Sequence, residues 1–422
     1  MKDKIIVAHP YQQHSFMTAA AIKKMGLLEK YVTSTYDKKN SLTNLVKKFL
    51  RGDNLKRASK RKCAYLEDSE IKQICELQNL FMLLLHRLDK KKKYYNKLNN
   101  FFIKSFNYKL FKYIKKNKIN NVIVYDTVCY DFIKKIRKDN MKVNIIIDMS
   151  APSLVYMNLM FNKYIDNQLS ESLLREELIS YEYIQQVEKA KYEIENADYF
   201  LVASEFTSKS LEYMGIKKDK IFKCKYGIEV NNNEQLFNSQ SINKKMKIVF
   251  IGNVTEKKGF HFFEKIAKEL GYDKFEFHVI GKYEENDPLI FRNKDKMKFY
   301  GYVTHDEVMR LCSIMDFIIF PSLSDGYGFS VLEAMSKGVI PIVSKNAGIS
   351  DLIVNNINGY KFSLENIYEA VSFCKEIFEN DIQRKKIKEA VKESVENTTW
   401  DKYNDDIKYA IGRILEGKNA IY

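Results

Sequence analysis

Short runs of β-branched and aliphatic residues alternate along the chain with longer stretches whose apolar positions recur at helical spacing, the pattern of parallel strands joined by helices. A first series of strands is predicted at 4–8 (KIIVA), 121–126 (NVIVYD), 143–148 (VNIIID) and 198–203 (DYFLVA). A second is predicted at 247–252 (KIVFIG), 275–281 (FEFHVIG), 298–301 (KFYG), 316–320 (DFIIF) and 339–343 (VIPIV). Residues 230–245, VNNNEQLFNSQSINKK, separate the two series; they are polar, rich in Asn and without apolar period, which reads as a linker. The expected fold class is therefore α/β, with two doubly wound Rossmann-like domains facing a cleft. Residues 1–229 form the first domain in this reading and 246–395 the second, with a helical segment at 396–422.

One segment breaks the rhythm. In SLTNLVKKFLRGDNLKRASKRK (41–62), Leu42, Leu45, Val46, Phe49 and Leu50 fall on one face of a helix, while Lys47, Lys48 and Arg51 lie outside that stripe. Lys56, Arg57, Lys60, Arg61 and Lys62 follow. A basic amphipathic helix of this kind suits an anionic membrane surface. The same pattern also suits an ordinary helix that faces the core and solvates its outer side.

Composition narrows the class. In a chain of 422 residues, 45% are hydrophobic and 29% charged, with 5 Pro and 16 Gly, so neither disorder nor a fibrous repeat fits. No apolar run approaches the ~18–20 residues that a membrane span needs, and MKDKIIVAHPYQQHS reads as a strand rather than a signal peptide. Cys63, Cys75, Cys129, Cys224, Cys312 and Cys374 are scattered without C-x-x-C, which suggests neither a disulfide framework nor a zinc site. A cytoplasmic protein is expected. Residues 1–150 carry 33 Lys and Arg against 13 Asp and Glu, whereas 151–422 carry 37 against 41, so the basicity belongs to the first part. Such a surface attracts nucleic acid, anionic lipid or an acidic substrate, but no nucleic-acid recognition motif accompanies it, and no specific nucleic acid is expected. A nicotinamide-dependent dehydrogenase is disfavoured, because no G-x-G-x-x-G follows a predicted first strand.

The densest chemistry lies in FPSLSDGYGFSVLEAMSKGVIPIVSKNAGISDLI, residues 320–353. Pro321 ends a buried strand, and the following turn carries Ser322, Ser324, Asp325, Gly326 and Gly328. That turn falls at the carboxyl end of a parallel sheet, where ligands bind. Gly326 and Gly328 permit close backbone approach, and a helix from about Phe329 aims free N–H groups at a phosphate. Asp325 and Glu333 offer carboxylates to the hydroxyls of a sugar or ribose. A plain strand-to-helix turn fits the loop as well, so these residues alone leave both readings open.

The order of features around it closely resembles the signature of retaining GT-B glycosyltransferases of family 4 (glycosyl transferases group 1), including bacterial surface-polysaccharide transferases. Asp325 and Glu333 occupy the two acidic positions of its Glu-x7-Glu phrase. FIGNVTEKKGFHFFEKIAKEL (250–270), FYGYVTHDEVMRLCSIMDFIIFPS (299–322), TTWDKYNDDI (398–407) and the 197–229 segment are similar to further parts of the family. The resemblance implies a sugar moved from a nucleotide-sugar to a hydroxyl of a surface-glycan or lipid-linked acceptor, with no metal or other cofactor; the 41–62 segment adds the expectation of a place at the inner face of a membrane. A catalytically weak sugar-nucleotide-binding or partner protein is the alternative.

Residue by residue, the resemblance implies that Glu333 holds ribose hydroxyls and Asp325 the donor sugar. The amides around Gly328, Phe329 and Ser330 would hold sugar and phosphate beside Gly252, Asn253 and Gly326. Lys258 would neutralise the departing diphosphate. Asn253 stands where the family commonly has Arg, and Asp325 is one methylene shorter than the usual Glu. In the first domain, HPYQQHS (9–15) resembles a variant start of the family and places His9, Gln13, His14 and Ser15 after strand one, where His14 would position an acceptor hydroxyl or stabilise phosphate. Asp148, Ser150 and Ser153 follow VNIIID where a functional His is common, and Asp148 reads as a strand cap.

Overall fold

The computed structural model describes residues 4–89, 93–166, 172–228, 245–285 and 287–419. The predicted linker lies outside these residues apart from Lys245. Among them, seven strands form a first sheet: β1 (Ile5–Ala8), β2 (Leu28–Thr33), β3 (Ile71–Gln73), β4 (Asn121–Tyr125), β5 (Asn144–Met149), β6 (Tyr199–Val202) and β7 (Ile221–Lys223). Six form a second: β8 (Met246–Ile251), β9 (Phe275–Ile280), β10 (Lys298–Gly301), β11 (Phe317–Phe320), β12 (Ile340–Ser344) and β13 (Tyr360–Phe362). Every ladder is parallel, in the orders β3-β2-β1-β4-β5-β6-β7 and β10-β9-β8-β11-β12-β13. In both sheets the strand order reverses beside the first strand, between β1 and β4 and between β8 and β11. A parallel sheet covered by helices on both faces buries its strands on both sides, which is why IIVA and FIIF are apolar throughout and, with NVIVY, fully buried.

The predicted strands are all present. Those that the pattern missed are β2, where Glu29 and Lys30 interrupt the apolar run, and three edge strands of three residues each. Helices fill the crossovers: Phe260–Leu270, for example, turns Phe260, Phe263, Ile266, Ala267 and Leu270 into the core. The helix Trp400–Asn419 packs on Ser15–Lys24 of the first sheet's layer, where the Thr18 and Tyr403 hydroxyls stand 2.7 Å apart.

The basic stretch 41–62 is not one helix. It forms Leu42–Lys47 and Gly52–Ser59, broken where Gly52 takes φ +56°. Its apolar stripe faces outward rather than into the core: Leu42, Leu45 and Val46 are exposed, and Phe49 is 80% exposed. Lys47 is paired with Asp37 at 2.6 Å, and Arg57 reaches the second half of the molecule by donating from Nη2 to the Tyr302 hydroxyl at 3.0 Å. No helix among the described residues is long and apolar enough to cross a membrane. All six cysteines are buried and free.

Candidate functional site

A cleft cavity of about 900 Å³ opens where the carboxyl ends of the two sheets meet. The first half lines it with Gln13, His14, Phe16, Met17, the run Lys62–Tyr65, Ser150 and Tyr226. The second contributes Ile251, Gly252, Lys258, Phe320, Asp325, Tyr327, Gly328, Phe329 and Ser330, and Trp400 completes it. His14 follows β1, Asp148 stands near the end of β5, Lys258 follows β8 and Asp325 follows β11. The cavity thus sits at the switch point of each sheet, where diverging connections leave a crevice.

On the wall of the second half, Lys258 Nζ lies 2.5 Å from Asp325 Oδ2. Two local devices hold the pair. The Thr255 side chain accepts from Lys258 N, closing the turn Glu256–Lys258, and Gly259 follows at φ +73°. A β-carbon at Gly259 would stand 1.8 Å from the Pro321 carbonyl oxygen, so only glycine lets the Lys258 turn press against the end of β11. Asp325 is pinned through its backbone, with its N–H on Asn346 O at 3.0 Å and its carbonyl accepting from Gly348 N at 3.0 Å. The shorter carboxylate therefore meets Lys258 because the loop is fixed close to it. Gly328 caps the helix Phe329–Ser336 at φ +91°, leaving the first N–H groups of that helix on the cavity side.

The wall of the first half is built differently. His14 Nε2 lies 2.9 Å from Asp148 Oδ2 and 3.1 Å from the Tyr226 hydroxyl. Asp148 Oδ2 also accepts from Thr18 Oγ1 at 3.0 Å, and Thr18 meets the hydroxyls of Tyr125 at 3.0 Å and Tyr403 at 2.7 Å. Asp148 is 2% exposed, and the three tyrosines are buried with their phenols held well above the ordinary range, first by burial and then by Asp148. Tyr226 ties the halves together: its ring is stacked on Phe329 with centroids 5.5 Å apart, and its carbonyl accepts from the Tyr327 hydroxyl at 2.5 Å. Behind His14, His9 Nδ1 accepts from Tyr11 N at 2.9 Å, and burial, then the nearby His14, push its pKa down to about 3.

The cavity brings together His14, Gly252, Lys258, Asp325, Gly328, Phe329 and Ser330 of the residues singled out in the sequence. It does not include three of the residues expected to hold the donor. Asn253 is exposed in the loop after β8. Gly326 faces the first half instead: a β-carbon there would lie 2.2 Å from the Ser150 carbonyl oxygen, and its own carbonyl accepts from Ser204 Oγ at 2.8 Å. Glu333 is half-buried outside the cavity lining, with Oε1 3.8 Å from His305 Nδ1. Burial raises its pKa, while His305 and Lys60 act the other way. Asp148 is no mere strand cap; it anchors His14. Sequence reading also passed over Thr18, Tyr125, Tyr226 and Tyr403, which share no local motif. Among the described residues no group of three or more His, Cys, Asp or Glu is arranged to hold a metal ion.

Comparison with known proteins agrees with this architecture. Residues 231–394 match the family model described as Glycosyl transferases group 1, so the group 1 part of the expected resemblance holds over these residues. An uncharacterized 41.2 kDa protein in the cps region of Klebsiella pneumoniae is 24% identical over 163 residues, 37% of this chain and 45% of that protein. A glycogen synthase of Oceanobacillus iheyensis is 26% identical over 161 residues, 35% of this chain and 34% of its own length. The chain thus spans from about a third to under half the length of these curated relatives. Among solved structures, the lipopolysaccharide outer core galactosyltransferase WaaB superposes with a TM-score of 0.62 at 14% identity, covering 97% of this chain and 99% of that one. HepE of Anabaena in complex with UDP-glucose gives 0.58 at 11% identity, covering 97% and 99%. The fold is that of the GT-B glycosyltransferases.

Proposed function

We propose that this chain, with its group 1 glycosyltransferase match over 231–394, moves a sugar from a nucleotide-sugar to a hydroxyl of a surface-glycan or lipid-linked acceptor, with retention of configuration. One observation carries the reading: a single cleft cavity has Lys258 and Asp325 on one wall and His14, anchored by Asp148, on the other. WaaB, named a galactosyltransferase, and HepE, solved with UDP-glucose, lend the reaction class and the nucleotide-sugar donor.

In this mechanism the donor diphosphate lies against the amides at the start of the helix Phe329–Ser336, and the Lys258 ammonium neutralises the charge that grows on it as the glycosidic bond breaks. No metal is required for that step. Asp325 accepts hydrogen bonds from donor-sugar hydroxyls, and Glu333 serves the ribose. His14 orients the acceptor. Its Nε2 is held by Asp148 at 2.9 Å, which fixes the ring against which the incoming acceptor lies. The proton passes to the departing diphosphate oxygen, so the chain supplies orientation and charge stabilisation rather than a covalent intermediate.

A thermal-shift panel of nucleotide-sugars tests this. One donor, well above its dissociation constant, is expected to stabilise the native state by roughly 2–4 kcal/mol, with the effect lost in Lys258→Ala. Donor binding without turnover on any acceptor would instead mark a sugar-nucleotide-binding partner protein. No response from folded protein would leave a noncatalytic partner protein that keeps the fold.

The outward apolar side chains Leu42, Leu45, Val46 and Phe49, set in the basic first part of the chain, favour work at an anionic membrane surface. Phe49→Ser is expected to reduce sedimentation with anionic vesicles. Equal partitioning to neutral vesicles would sink the electrostatic part of that idea.

A further inference from the structure

The devices that hold Lys258 against Asp325 are local, yet the short turn that carries the lysine has a second side. Lys258 lines the cavity; Glu256 and Lys257 do not, and their side chains reach the first half instead. Glu256 is 5% exposed, with Oε1 accepting from Asp166 N at 3.2 Å and Oε2 from Ser172 Oγ at 2.5 Å. Asp166 follows the helix Leu154–Tyr164, and Ser172 caps the helix Leu173–Ile179. Lys257 Nζ lies 2.5 Å from Glu177 Oε1 on the latter helix.

Of these two ties, Glu256 is the stronger. The Lys257–Glu177 pair is partly exposed and contributes little on its own. A carboxylate removed from water depends on the groups that hydrogen-bond to it, and these two come from the other half, so withdrawing them costs far more. The turn also has little slack with which to absorb a shift at Glu256. Thr255 accepts from Lys258 N, Gly259 presses on the Pro321 carbonyl, and Lys257 O accepts from Leu323 N at 3.1 Å, two residues before Asp325. A displacement of the Glu256 carboxylate is therefore passed to Lys258 and to the loop that holds its partner.

We propose that Glu256 is a positioning residue for the transfer: gripped by Asp166 N and Ser172 Oγ of the first half, it sets the Lys258 ammonium against Asp325 and the departing diphosphate. The inference rests on the transfer reaction proposed above and gives the first half a part in placing the cation on the opposite wall. Without that grip the nucleotide-sugar still binds, but the charge that grows on its diphosphate is met less well.

Kinetics with the nucleotide-sugar found by the thermal-shift panel test this. Glu256→Ala is expected to lower kcat about 30-fold and to change the KM for the nucleotide-sugar by less than about twofold. Ser172→Ala removes one hydroxyl from the far half and is expected to lower kcat about fivefold. Ser180→Ala removes a neighbouring helix cap, that of Tyr181–Glu195, and is expected to leave kcat unchanged. A double-mutant cycle decides between positioning and a merely structural tie. In a Lys258→Ala background, Glu256→Ala is expected to cost less than about twofold, because its effect passes through the lysine. Equal fold losses in both backgrounds, or an unchanged kcat in Glu256→Ala, overturn the proposal. Should Glu256→Ala not fold, Glu256→Gln keeps the volume and one acceptor oxygen, and the same cycle applies with about a fivefold loss expected. Amide hydrogen exchange over 255–259 needs no ligand and is expected to quicken about tenfold in Glu256→Ala and Ser172→Ala; unchanged exchange also overturns the proposal. If the parent turns over no nucleotide-sugar, the transfer reading falls and takes the positioning role with it, while the exchange rates still decide whether the first half holds the turn.

Discussion

The two walls of the cleft hang from sheets of the same topology, yet they are made by different means. The Lys258 wall is local: a turn, two glycines, a helix start and one partly exposed ion pair, all fixed by backbone contacts with nearby loops. The His14 wall is a chain of buried side chains, His14, Asp148, Thr18, Tyr125 and Tyr403, drawn from four separate stretches of sequence. Parallel switch points place the residues in both cases, but only the His14 wall stakes the stability of its domain on the groups that line the site.

The sharpest way to break this contrast is to remove one charged side chain from each wall and read stability and activity separately. Asp148→Ala strands His14 and Thr18 in a buried setting and is expected to lose about 3–5 kcal/mol of unfolding free energy in urea denaturation. A loss below about 1 kcal/mol would show that the first wall is no more structural than the second. Lys258→Ala should invert the pattern. Its pair with Asp325 is partly exposed, so stability is expected to move by no more than about 1 kcal/mol. Transfer is expected to fall by about 10²–10³-fold in kcat, as for loss of a preorganised charge at a developing anion.

Those outcomes bear on how much of the molecule was legible in its residues. The Lys258 wall was legible because glycine, proline and acidic residues mark it within a few dozen consecutive positions, and most of those residues do line the cavity. Gly326 misled because a glycine that admits another backbone looks the same in sequence as one that admits a ligand; here the neighbour is Ser150. Asp148 was seen but misread, since its partner lies far away in the chain. Tyr403 carried no signal at all, because a tyrosine on a helix with apolar periodicity is ordinary until its hydroxyl finds Thr18. The fold itself was plain from buried strands. Edge strands of three residues are too short for a periodicity to form.

The smallest expected effect is one of pH. His9 is held neutral behind the His14 wall, with a folded pKa of about 3 against an ordinary value near 6.5. A lowered basic pKa contributes stability that is present above pH 6.5 and is lost as the pH falls toward 3, because the unfolded chain takes up the proton first. At pH 5 the loss is expected to reach about 2 kcal/mol. Denaturation curves at pH 7 and pH 5 check it, and His9→Gln should flatten the difference by that amount; an unchanged slope would mean that His9 is protonated in the native state.

The hydroxyl contact between Thr18 and Tyr403 spans 385 residues of sequence and has a meaning for biosynthesis. Ribosomes extend a chain at ~5–20 residues per second, so Thr18 waits roughly 20–80 s before its partner exists. Through that interval the nascent first half carries an unfinished polar core, and a chaperone that shields it is expected to matter more for yield than one acting on the finished protein. The first wall thus closes only after the helix Trp400–Asn419 has been made: a polypeptide released before Tyr403 lacks the hydroxyl that completes it.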